Sequence, residues 1–222
     1  MENKVFLSFG EQIFQTLKER VLNNDYAPGT MLQIEKLAEE MGVSSTPIRE
    51  TLFKLHSIGL VRMVRNKGAI VSGIDEKTAR NIWQFRALLE LCAAREAMPH
   101  IDREDICVLR RAIERHLEDP SDFELYQDID QELHSLFCEN AENDLVKEAL
   151  RNLLGQSRRV RYFAESMPMV DNILLEITLE HSSIIEAMLN ADIEAVVGRL
   201  RLHLANGEKR TLRALSSQGV NV

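Results

Sequence analysis

Met41-Gly-Val-Ser-Ser-Thr-Pro-Ile-Arg49-Glu-Thr-Leu-Phe-Lys-Leu-His-Ser-Ile-Gly-Leu60 joins a tight turn, a helix start and a second turn. Gly42 is suited to closing the preceding helix, and Ser44, Ser45 and Thr46 offer capping hydroxyls. Pro47 fits the first helical turn because it has no N–H to lose. Ile48, Leu52 and Leu55 then form a core-facing stripe, with Thr46 and Arg49 off it and Ser44-Ser45 in the turn at its N-terminal end. A recognition helix meets base edges at that end.

The stretch sits in a helical context. Upstream, Ile13, Leu17 and Val21 repeat every four positions with Phe14 beside them, which predicts a helix over 8–24. Ala27-Pro28-Gly29 is a turn, Met31-Leu32 a short extended segment, and a helix follows from Ile34 to Met41. Downstream, Leu60–Val64 and Ala69–Ser72 are β-prone runs about a turn, Arg65-Asn-Lys-Gly68. Three helices and a hairpin make a winged helix.

The charge distribution favours the same surface. The 222-residue chain carries a net charge of −8, which taken alone argues against nucleic acid. Residues 1–74, however, hold nine Lys/Arg against eight Asp/Glu. From Ser44 to Ile70, Arg49, Lys54, Arg62, Arg65 and Lys67 face Glu50 alone. DNA would be held at this basic patch and repelled elsewhere. The three cysteines show no CxxC spacing, so no disulfide framework or zinc ribbon is indicated. No run approaches the roughly 18 apolar residues of a membrane span, and the N-terminus lacks a signal-peptide core. A cytoplasmic protein is expected.

Pro28-Gly29, Leu37-Ala38, Gly42-Val-Ser44-x-Thr46-Pro-x-Arg49-Glu-x-Leu52, Gly59-Leu-Val61 and Gly68 resemble the GntR family of bacterial transcription regulators. The resemblance covers residues 8–74. It implies DNA contacts by Ser44, Thr46 and Arg49 at the recognition helix, with Gly68 at or near the minor groove. The position of Ser45 among the hydroxyls and of Arg65 and Lys67 on the basic hairpin tip adds these three as candidate DNA contacts. Many members carry arginine where this chain has Ser45, and often also where it has Glu35. An altered operator and weaker affinity per domain are therefore expected.

Past a short linker at Ser72–Asp75 no strand signal remains. Helical periods at 76–98, 102–118, 121–141, 143–166, 170–190 and 192–215 predict an antiparallel six-helix bundle, with a break at Pro168 and a frayed tail. The fold expected is mainly α, with a DNA-binding domain at 1–74 and a helical domain at 75–222.

In the helical part, Asp130-Gln-Glu-Leu-His134 places a carboxylate and an imidazole one turn apart, and His181 and His203 lie on two later helices. Taken singly, each reads as a solvated face or a structural histidine. Four such side chains aimed inward would satisfy a divalent transition metal, with Zn or Ni favoured by imidazole. Arg86-x-x-Leu89-Glu90, Asp130-x-x-x-His134, Glu180-His181-x-x-Ile184-Ile185 and His203 resemble the FCD regulatory domain of the FadR subfamily, in its six-helix VanR-type branch. That resemblance implies a metal site at Asp130, His134, His181 and His203.

Arg86 reads either as an i,i+4 ion pair to Glu90 on an exposed face or as a bidentate clamp on an effector carboxylate, with Arg158 and Arg161 assisting. Cys138, one turn beyond His134, reads as a small buried filler. The function expected is a homodimeric regulator, in the sense of a repressor, that reads pseudo-palindromic operator DNA under control of a small carboxylate metabolite. The alternative is a metal-dependent hydrolase or isomerase fused to a DNA-binding module, since an Asp/His₃ site with open positions could activate water beside Glu132 or Glu180. A purely structural metal is a third possibility.

Overall fold

The computed structural model describes residues 8–165 and 173–217. The expected break at Pro168 and the tail beyond 217 lie outside the described residues. The chain forms two compact units that divide at Asp75–Glu76.

The first unit contains α1 (Phe9–Leu22), β1 (Met31–Gln33), α2 (Ile34–Met41), α3 (Ser45–Ser57), β2 (Val61–Val64) and β3 (Gly68–Val71). Ser8 starts α1 by accepting a hydrogen bond from the Glu11 N–H at 3.3 Å. Gly42 closes α2 in the left-handed region, at φ 65° and ψ 35°, where a side chain would add strain. Ser44 occupies the N-cap of α3, but its hydroxyl makes no capping bond. Leu17, Val21, Ile48, Leu52 and Leu55 fill the core between the helices and the sheet.

The hairpin expected from the sequence is one side of a three-stranded antiparallel sheet ordered β1-β3-β2, with Ala69 opposite both Leu32 and Met63. This pairing changes the reading of Gly68, expected at the exposed wing tip. The structure buries it at the start of β3, where φ is +132° and an added Cβ would lie 2.0 Å from the Leu32 carbonyl oxygen. Close approach of β1 thus requires glycine here. The positive φ of the turn falls on Asn66, at 59°.

The second unit comprises α4 (Glu76–Ala97), α5 (Arg103–Glu118), α6 (Phe123–Asn140), α7 (Asp144–Glu165), α8 (Ile173–Leu189) and α9 (Ile193–Ser217). Asp102, Asp122 and Asp192 cap α5, α6 and α9 through the backbone N–H groups of Glu104, Leu125 and Ala195, each at 2.9–3.0 Å. Helix α4 packs along α6, α7 and α9, while α8 lies against α5 and α9. Ile113, Ile129, Leu133, Phe137, Ile184 and Leu200 make the main core, each worth about 1.5–3 kcal/mol in buried apolar surface.

Trp83 fixes α4 on α9. Its indole N–H donates to Thr211 Oγ1 at 3.1 Å, and its ring fills the place a Cβ on Gly207 would take, 2.4 Å away.

Candidate metal centre and nucleic-acid interface

Asp130 and His134 belong to the inward stripe of α6 that also contains Tyr126, Leu133 and Phe137. His181 falls between Ile177 and Ile184 on α8, and His203 between Leu200 and Leu204 on α9. Helical periodicity therefore carries four polar side chains into the bundle. All four are buried, and one potential ligand atom from each lies within 4.8 Å of the others. Asp130 Oδ1 is 3.6 Å from Nε2 of both His134 and His181. Ligand atoms on a metal with bonds of about 2.1 Å sit roughly 3–4 Å apart, so small side-chain movements close the set.

The histidines are oriented by carboxylates. His134 Nδ1 is bonded to buried Glu90, which also accepts from Arg86 Nε at 2.7 Å. His203 Nδ1 lies 2.8 Å from Glu180 Oε2. Glu180 in turn accepts from Asn206 at 2.8 Å and from both terminal nitrogens of Arg210 at 2.8 and 2.9 Å. An Nδ1–H donated to a carboxylate leaves Nε2 as the lone-pair nitrogen facing the centre. Nε2 of His134 and both ring nitrogens of His181 are buried without a hydrogen-bond partner. Orphaned buried imidazole nitrogens beside a carboxylate match the donor set of a borderline divalent metal.

Burial alone would raise the Asp130 pKa, but the Arg161 guanidinium and the neighbouring His134 outweigh it and hold the carboxyl well below its ordinary range. Burial likewise opposes ionisation of Glu90 and Glu180. Arg86 and His134 around the first, and Arg210 and His203 around the second, bring each to about 2. Burial, reinforced by His203, pushes His181 well down, and burial also lowers His203 despite its bond to Glu180. Asp130 thus favours an ionised oxygen, and burial favours neutral imidazole at His181 and His203.

The three arginines expected around an effector separate. Arg86 makes its i,i+4 pair to Glu90, yet on a buried face, and its Nη1 donates to Ser157 Oγ on α7 at 2.6 Å. The exposed-face reading of that pair is corrected: the pair spans the α4–α7 contact rather than solvent. Arg161 pairs directly with Asp130, while half-buried Arg158 reaches Gln131 at 3.1 Å. Cys138 stands outside the donor group, among Ala93, Ala141 and Leu150. The sequence offers Glu90 as an arginine partner and Glu180 as a candidate base, each within a motif of the FCD resemblance, and assigns neither to a histidine. Their adjacency to histidines arises across helices, between residues 44 and 23 positions apart.

In the first unit, Ser44, Thr46 and Arg49 are exposed at the start of α3, Ser45 is partly covered, and Arg65 and Lys67 flank the exposed wing tip. Among the described residues, no helix is long and apolar enough to cross a membrane.

A winged helix-turn-helix followed by a helical domain with a buried polar centre is the architecture of a DNA-binding transcription regulator. The profile of "Bacterial regulatory proteins, gntR family" matches residues 9–71, and that of the FCD domain matches residues 81–206. The chain belongs to the GntR family, with an FCD domain following its DNA-binding domain. It is 28% identical over 201 residues to the HTH-type transcriptional repressor RspR of Escherichia coli K12, covering 87% of this chain and 85% of that protein. It is 25% identical over 197 residues to the regulator YdhC of Bacillus subtilis, covering 86% of each.

Among solved structures, Escherichia coli McbR/YncC superposes with a TM-score of 0.76 at 21% identity, over 96% of this chain and all of that one. The Zn2+-bound FCD domain of TM0439 gives 0.57 at 22%, over 66% of this chain and 99% of its own. The relatives are transcription regulators, so the hydrolase or isomerase alternative is not favoured.

Proposed function

We propose that the protein is a cytoplasmic, homodimeric repressor whose operator affinity is set by a divalent metal and a small carboxylate at Asp130, His134, His181 and His203. The observation that carries this reading is the set of buried imidazole nitrogens without partners, converging on an ionised aspartate. The Zn2+-bound FCD domain of TM0439 supports zinc as the ion, and the repressor RspR supports the sign of control. When bound, the metal supplies open coordination positions for an anionic ligand.

The chain's own residues prepare that ligand's surroundings. Glu90 and Glu180 hold two imidazoles with Nδ1 turned away, and Arg161 keeps Asp130 ionised. Arg86 gives two nitrogens to Glu90 and Ser157, so its effector contact narrows to Nη2, which is buried and unpartnered. Arg158 supplies further positive charge from α7. On the DNA side, Ser44, Ser45, Thr46 and Arg49 would meet base edges and phosphates, and Arg65 and Lys67 the backbone beside them. Gly68 then acts through the sheet rather than by touching DNA. Phe85 and Leu88, 49% and 72% exposed, with exposed Cys92 form an apolar row along α4 that supports association with a second copy.

The test is affinity for double-stranded DNA selected by the protein from a random pool, measured after chelation, with Zn2+ or Ni2+, and with metal plus a series of small carboxylic acids and their amides. The expected result is metal-dependent stabilisation of the protein and at least a fivefold change in DNA affinity with one class of acid. Indifference of DNA affinity to every acid that binds the metal-loaded protein would overturn the coupling.

A further inference from the structure

The exposed face of α3 carries one large apolar residue that the DNA-binding reading does not assign. Ile48, Thr51, Leu52 and Leu55 turn into the core, whereas Thr46, Arg49, Glu50 and Phe53 are exposed. Phe53 stands 59% exposed, a large apolar side chain on a short helix whose other outward residues are polar. Its neighbour Lys54 leans back onto α1, with Nζ 5.4 Å from the centre of the Phe14 ring and 3.3 Å from Glu11 Oε2. Lys54 therefore serves the α1–α3 contact and leaves Phe53 on the face shared with Thr46 and Arg49.

The offsets of Thr46, Arg49, Glu50 and Phe53 are those at which a three-helix DNA-binding domain presents base-reading side chains from one helix in the major groove. Phe53 lies one turn beyond Arg49, about 6 Å along the axis, or nearly two base-pair steps further on. A phenyl ring has no hydrogen-bonding group, so amide and carbonyl edges of bases are not its partners. In the major groove the apolar mark is the C5-methyl of thymine, which distinguishes A·T from G·C and one orientation of the pair from the other. We propose that Phe53 is a specificity-determining residue that reads a thymine methyl in each operator half-site. This rests on the reading of α3 as the recognition helix.

The experiment begins with selection of double-stranded DNA from a random pool by the full-length protein, by Phe53→Ala and by Arg49→Ala. In the selected sequence each thymine is then replaced singly by deoxyuracil, which removes the methyl and nothing else. Wild type should bind about fourfold more weakly for one such replacement per half-site, the loss expected for one buried methyl. Phe53→Ala should bind thymine and uracil duplexes equally and should select sites in which that position is no longer fixed. Uracil tolerance at every position in wild type, or the same uracil penalty in Phe53→Ala, would overturn the assignment while leaving DNA binding intact. A wild-type protein that enriches no sequence and matches Arg49→Ala on random DNA would overturn both this inference and the recognition-helix reading beneath it.

Discussion

Replacing Glu180 by glutamine tests the outer layer of the centre most directly. Both Glu180 oxygens are used as acceptors: Oε1 by Asn206 and one nitrogen of Arg210, Oε2 by His203 Nδ1 and the other nitrogen of Arg210. Glutamine has one acceptor oxygen and one NH₂. Whichever way its amide turns, the NH₂ faces donors, either Asn206 and Arg210 or His203 and Arg210. If it faces His203, the imidazole loses the acceptor that keeps Nδ1 protonated and Nε2 available. If it faces Asn206, Arg210 is left half-paired and the amide loses its hold.

Carboxylates in this position typically contribute 10- to 100-fold to metal affinity, about 1.4–2.7 kcal/mol. The assay is calorimetric titration of chelator-treated protein with Zn2+, alongside melting temperatures with and without metal. Glu180→Gln should fold, bind one Zn2+ per chain and do so at least tenfold more weakly. A dissociation constant within twofold of wild type would refute the orienting role of Glu180. Unchanged metal binding by His203→Ala as well would remove His203 from the centre altogether.

Two further perturbations separate structural from ligand-dependent roles. Arg86→Met leaves the fully buried Glu90 carboxylate with His134 but without its guanidinium, so the metal-free protein should lose about 3–5 kcal/mol of stability, read by urea unfolding through Trp83, the single tryptophan. Arg86→Met/Glu90→Gln should regain much of it, whereas a loss under about 1 kcal/mol in the single variant would return Arg86 to an effector-only role. His116 is buried against Thr178, its Nδ1 3.0 Å from Thr178 Oγ1, and burial lowers its pKa below the ordinary 6.5. Protons then bind the unfolded chain first, so its stabilising contribution is full above about pH 6.5 and declines as the pH falls toward the folded value. The stability gap between wild type and His116→Leu should therefore shrink from pH 7.5 to pH 5, and a gap that widens on acidification would contradict the burial argument.

Much of this architecture could be read from the chain because it depends on local periodicity. The apolar stripes of α3, α6, α8 and α9 are visible in the sequence, and the four metal-site candidates interrupt those stripes at core positions. What could not be read depends on side chains meeting from distant segments. Met31-Leu32 reads as merely extended, yet the strand it belongs to, Met31–Gln33, completes the sheet by pairing with β3, and that pairing dictates glycine at 68. Ser44 carries a capping residue type at the capping position, but its hydroxyl is left to solvent and makes no bond to α3. Glu90 and Glu180 resemble ordinary helical surface carboxylates by composition. Only the packing of α4 on α6, and of α8 on α9, shows each to be a histidine's partner.

The charge balance of the centre explains why a carboxylate is the expected effector class. Asp130, Glu90 and Glu180 are each matched by one guanidinium, from Arg161, Arg86 and Arg210 respectively. Counting only these carboxylates and guanidiniums, two of the pairs buried and the Glu180–Arg210 pair partly so, the cluster is neutral without a metal. A divalent cation adds two uncompensated positive charges in a region where water is scarce and Coulombic terms are large. An anion at the open coordination positions offsets that excess, and a neutral amide of the same shape does not. The amide members of the acid series are therefore expected to leave operator affinity unchanged. An amide as effective as its parent acid would show that shape, rather than charge, selects the ligand.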